Sequence, residues 1–97
     1  MADSENGSRG PEEQEFEFMA GARRNKLVGL WAAELLGLIG QTARDFMRDV
    51  AQRHGDDDMA EWLHLHLHGR ATLAEVREKM AHLLEEARRQ LHIERKD

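Results

Sequence analysis

Apolar residues recur along this chain at the three- and four-residue intervals of amphipathic helices, in blocks punctuated by glycine. In the first block Leu27, Leu30, Trp31, Leu35 and Leu38 line one face, while Arg23, Arg24, Lys26 and Glu34 lie mostly off it. This predicts a helix over residues 15–36, ended by Gly37 and Gly40, where glycine takes the left-handed conformation of a helix stop at little cost. A second helix is predicted over residues 41–53, with Ala43, Phe46, Met47, Val50 and Ala51 on one face and Gly55 as its stop. Asp57 and Asp58 are candidate caps of a third helix presenting Met59, Trp62 and Leu63, and Asp58 and Glu61 have the spacing of a reciprocal capping box. Thr72 and Glu75 form a second such box, opening a fourth helix whose Leu73, Val76, Met80, Leu83, Leu84, Ala87 and Leu91 keep a steady helical period. With no convincing strand and short connections throughout, the expected fold is all-α, a small four-helix bundle with Trp31 and Trp62 contributing to its core.

One segment conflicts with that pattern. Residues 63–68 alternate Leu and His without a break, the template of a half-buried strand that would put three imidazoles on one face. A lone strand needs partners, and none is offered, so the helix is preferred, with Leu63 and Leu67 turned inward and the histidines partly exposed. On a helix His64 and His68 are four residues apart and are the candidate metal ligands, but His66 points elsewhere and no Cys completes a tetrahedral set. A metal-binding helical domain is retained as an alternative, and no metal is expected.

Composition narrows the function. The chain has 97 residues, 40% hydrophobic and 34% charged, which fits one small domain with a modest core. The first twenty residues hold six acids and one base, whereas the remainder is balanced, so the formal charge of -5 resides at the N-terminal end. That end carries Gly7, Gly10 and Pro11 and has no large apolar residue other than Met1 before Phe16, too little to offset its ordering entropy. Residues 1–14 are accordingly expected to be a disordered acidic tail and residues 15–97 the bundle domain. A neutral body and an acidic tail oppose nucleic-acid binding. No apolar run approaches the ~20 residues needed to span a bilayer, so membrane insertion is not expected. The absence of cysteine removes disulfides and thiolate catalysis. Ser4 and Ser8 lie in the tail, Thr72 reads as a cap, and no phosphate-binding glycine loop occurs, so the chain is not expected to be an enzyme.

The polar cluster Arg23, Arg24, Asn25 and Lys26 opens the run R-R-N-K-L-x-G-L-W-A-A-x-x-L-G of residues 23–37. By chemistry alone, three cations within four residues suit phosphates or carboxylates, and the Asn25 amide suits a neighbouring helix end. As an ordered string, the run resembles the signature of the zeta-type inhibitor subunits of bacterial rotary ATP synthases. The resemblance extends to Phe18 and the acids before it, to Gly37-Leu38-Ile39-Gly40, to Gly55-Asp56-Asp57-Asp58, and to the V-R-x-K-M and A-R-x-Q-L strings of residues 76–80 and 87–91. It covers roughly residues 13–93; the connection before Gly55 is a few residues short and residues 1–12 do not match. The resemblance implies a bundle for anchoring and an N-terminal segment that folds into a catalytic interface of the F-type ATP synthase head and restrains ATP hydrolysis. Phe16, Phe18, Arg23, Arg24 and Asn25 become the candidate partner-binding residues. It also implies ATP or ADP binding, with Arg23, Arg24 and Lys26 as phosphate contacts, so that a helical adenine-nucleotide-binding regulatory module is a further alternative. The implied setting is the bacterial cytoplasm, with the membrane approached only through the synthase.

Overall fold

The structure, a computed structural model, describes residues 10–53 and 55–96. Four helices make up the described chain: α1 (Pro11–Leu36), α2 (Gly40–Ala51), α3 (Asp56–His66) and α4 (Leu73–Lys96). α1 and α4, of 26 and 24 residues, are each about 35–40 Å long at 1.5 Å per residue. They run antiparallel, Trp31 meeting Lys79 at one end and Phe16 meeting Arg95 at the other. α2 packs back along the C-terminal half of α1, and α3 packs on α4.

α1 begins four residues earlier than expected, so residues 11–14 are helical and not part of a tail. The reason is Pro11. Its ring blocks helix continuation from upstream, but at the first helical position its missing N–H costs nothing and its fixed φ favours the helix. Glu12 and Glu13 follow in the first turn, where the helix dipole stabilises acids. The expectation for residues 1–9 lies outside the described residues. At the other end Gly37 is left-handed (φ 72), with the Leu38 N–H donating to the Ala33 carbonyl at 3.0 Å and the Gly37 N–H to Glu34 at 3.1 Å, the paired bonds of a Schellman stop.

The buried face of α1 is not the leucine stripe that the pattern suggested. Ala20, Arg24, Val28, Gly29, Ala32 and Ala33 are buried, whereas Leu30 and Leu35 are exposed and Leu27, Trp31 and Leu38 only half-buried. α1 must accept α2 on one side and α4 on another, and small residues let two backbones approach where leucine would hold them apart. Gly29 is the closest approach: a β-carbon built there would lie 3.3 Å from the Cα of Met47 on α2. Gly29→Val is therefore expected to lower the unfolding free energy by about 1–3 kcal/mol through overpacking, read as a reduced urea midpoint.

The main core joins Val28 and Ala32 of α1, Val50 of α2, Met59, Ala60 and Leu63 of α3, Leu67 and Ala71 beyond it, and Val76 and Met80 of α4. Trp31 and Trp62 are partly buried and pack against it, as do Phe46, Leu73 and Leu83. The helical period of α4 holds throughout, and its capping box forms in both directions: Thr72 N–H to Glu75 at 2.8 Å, Glu75 N–H to the Thr72 hydroxyl at 3.0 Å. The box expected from Asp58 and Glu61 does not form. α3 starts three residues earlier than that box requires, after Gly55, with no side-chain cap and with Asp56, Asp57 and Asp58 all in its first turn. α2 is likewise Gly40–Ala51, with Ala51 exposed.

Candidate functional site

Consecutive residues on a helix point about 100° apart, and that divergence governs the R-R-N cluster. Arg23 reaches across to α4, its guanidinium forking onto the Glu94 carboxylate, one arm at 3.0 Å, with Gln90 Oε1 at 3.2 Å. Arg24, only 7% exposed, turns instead toward the start of α3, where Nη2 donates to Asp56 Oδ1 at 2.8 Å. Its Nε donates to Asn25 Oδ1 at 2.8 Å, which holds the guanidinium in that direction. Arg77 of α4, which borders the same hollow as Arg24, donates to Asp57 at 2.6 Å. The acidic first turn of α3 is thus clamped between arginines of α1 and α4, and α1 is tied at neighbouring positions to both.

Sequence reasoning missed the partner carboxylates Asp56 and Glu94. Three acids opening α3 signal a need for cations, but the pairs span 32 and 71 residues of sequence, beyond any local pattern. Lys26 is exposed and makes no such tie among the described contacts. Arg23 and Lys26 border one shallow hollow with Phe18, Met19, Ala22 and Leu91, while Arg24 borders a separate one with Asp56, Arg77, Met80, Ala81 and Leu84. The three cations therefore do not converge on one surface, and both arginines are directed at carboxylates.

The hydrogen bond from Arg23 holds the Glu94 carboxyl below the ordinary carboxylate range and raises the Arg23 guanidinium in turn. A carboxyl whose folded-state pKa is depressed stabilises the fold fully above its unfolded-state value and loses that contribution as pH falls through the folded value. Between about pH 5 and pH 3 the parent protein should accordingly lose more melting temperature than Glu94→Gln, whose side chain does not titrate. Parallel melting curves would refute the tie.

Toward its N-terminus α1 carries the two phenylalanines in different settings. Phe16 is half-buried against α4, with the Arg95 guanidinium 4.9 Å from its ring centre. Phe18 is 76% exposed and its neighbour Met19 45% exposed. Phe18 also stands at the edge of a groove bounded by Gly21, Ala22 and Asn25 and by Ala51, Arg53 and Gly55, where α2 has ended and leaves the face of α1 uncovered.

The histidine run is helical only as far as His66. Leu63 and Leu67 are fully buried and Leu65 is 70% exposed, as a helix requires and a strand would not. The His64 Nδ1–H donates to the Ala71 carbonyl at 3.1 Å, and the His66 Nδ1–H to the Trp62 carbonyl at 2.8 Å while its ring stacks on Trp62 at 3.9 Å. At His68 the chain turns left-handed (φ 51), which breaks the one-turn relation between His64 and His68 on which chelation depended. Among the described residues no group of three or more His, Cys, Asp or Glu is placed to hold a metal ion, and no helix is long and apolar enough to cross a membrane.

The arginines of this four-helix bundle tie helix to helix, and its long paired helices leave Phe18 and Met19 open at one end. Over residues 9–90 it matches the family described as ATPase inhibitor subunit zeta, and the chain belongs to that family. No curated protein and no solved structure matches it. The match begins at residue 9, just ahead of α1, so the helical start at Pro11 falls within it.

Proposed function

We propose that this inhibitor subunit binds the catalytic head of an F-type ATP synthase and restrains ATP hydrolysis through the N-terminal turns of α1. The observation that carries the reading is Phe18, a large apolar side chain 76% exposed on a helix, beside Met19 and next to an uncovered stretch of the same helix. Burying such a ring at an interface contributes about 1.5–3 kcal/mol. Because residues 11–19 are already helical, a partner that accepts them does not have to order that segment. The residues ahead of Pro11 add little: ordering each costs about 1–2 kcal/mol of backbone entropy, and only Met1 and Ala2 among them are apolar. The restraint should therefore be modest and centred on residues 11–19. Arg23, Arg24 and Asn25 support it from within, by fixing α1 on α3 and α4. Titrating the protein into isolated synthase head while following ATP hydrolysis tests this; a saturable fall in rate supports it, and an unchanged rate alongside demonstrated binding would remove the inhibitory role.

A further inference from the structure

From Ala20 onward α1 is buried on every turn, at Ala20, Arg24, Val28 and Ala32, whereas none of residues 10–19 is buried. Two of the contacts that hold those first turns against α4 involve arginines that lie at the surface. Arg88 donates to Glu17 at 2.9 and 3.3 Å, and Arg95 sits over Phe16. A part-exposed ion pair and a cation–π contact whose guanidinium lies at the surface are each weak, so this part of α1 is the kind of segment that opens locally without unfolding the rest.

At the boundary stands Gly21. In mid-helix glycine is the weakest helix former apart from proline, and it is normally explained by a close neighbour, as Met47 explains Gly29. Gly21 has no such neighbour: a β-carbon there would meet nothing within 4 Å. The helix is thus soft one residue past Ala20, where its burial begins, and packing does not require the softness.

We propose that residues 11–19 form a latch hinged beside the buried Ala20, at Gly21, docked on the last turns of α4 in the free protein and released when the partner takes them up. Arg88 and Arg95 are its internal keepers, and they cover Glu17 and the face of Phe16. Phe18 stays open and makes first contact; release then frees Phe16. The partner surface that competes for this segment must match what it displaces, an apolar pocket with a cationic edge. The proposal rests on the inhibitory reading for the identity of the partner, but the latch is a property of the free chain.

Amide hydrogen exchange on the free full-length protein tests the latch directly. Amides of residues 16–19 should exchange faster than those of residues 28–33. Arg88→Ala combined with Arg95→Ala should accelerate the first group about five- to tenfold and leave the second unchanged, and Gly21→Ala should slow the first group about fivefold. Arg88→Glu alone should also open the segment, and adding Glu17→Arg should close it again, which a loss of general stability could not produce. On the synthase head, the double arginine variant should inhibit at lower concentration and Gly21→Ala at higher concentration. Equal exchange in both groups, unmoved by the arginine variants, overturns the latch. Accelerated exchange with an unchanged inhibitory concentration overturns the competition between α4 and the partner. Failure of every form to inhibit refutes the inhibitory reading instead, and the exchange data still decide the latch.

Discussion

Leu63→Ala is expected to remove a large part of the protein's stability, and Leu65→Ala to leave it nearly unchanged, although the two leucines are two residues apart in an alternating run. Leu63 is fully buried among Met59, Leu67, Val76 and their neighbours, whereas Leu65 is 70% exposed. Truncating a buried leucine removes transfer free energy and leaves a cavity, together about 2–5 kcal/mol, against a total stability near the lower end of about 5–15 kcal/mol for so small a domain. An exposed leucine away from special features is worth within about 0.5 kcal/mol. Urea unfolding should show a large fall in midpoint at unchanged slope for the first and little change for the second. Equal losses at positions 63, 65 and 67 would indicate the extended conformation in which all three share one face.

The same pair of residues shows why parts of this fold were legible. α3 and α4 bury large apolar residues at helical spacing on one side only, and the Thr72–Glu75 box marks a boundary with local chemistry, so period and cap agree. α1 was legible as a helix but not in its orientation. Leucines attract a hydrophobicity-based reading, yet between two packed neighbours the scarce resource is space, and Gly29, Ala32 and Ala33 take the inside while Leu30 and Leu35 face solvent. Pro11 lies with Gly7 and Gly10 in the stretch expected to be a tail, yet it permits a helix start at its own position. In the candidate site, the R-R-N cluster stood out as polar residues on an apolar helix, but its purpose depended on Asp56 and Glu94, which only the folded chain brings near. Phe18 needed the opposite information: its exposure follows from the short length of α2, which ends before covering that turn of α1.

Phe18→Ala carries the second large expected effect. If Phe18 is buried against the synthase head, its loss should raise the concentration for half-inhibition about ten- to a hundredfold, the equivalent of about 1.5–3 kcal/mol. The variant should keep its helix content and melting temperature, because the ring is solvent-exposed in the free protein. Adding Phe16→Ala should weaken inhibition further, since both rings then fail to reach the partner, although part of the Phe16 change also removes its contact with Arg95. Any exposed apolar side chain adheres nonspecifically to some degree, so the comparison is made against another open side chain of the same kind.

Leu65, 70% exposed on α3 and remote in sequence from α1, supplies that comparison. The most direct measurement is the half-inhibitory concentration for ATP hydrolysis by isolated head, taken side by side for the parent protein, Phe18→Ala and Leu65→Ala. A rise of about tenfold or more for Phe18→Ala with no change for Leu65→Ala is the result expected of an inhibitor that acts through the start of α1. Equal inhibition by all three, at concentrations where each binds the head, would contradict it and transfer the inhibitory contact to another face of the bundle.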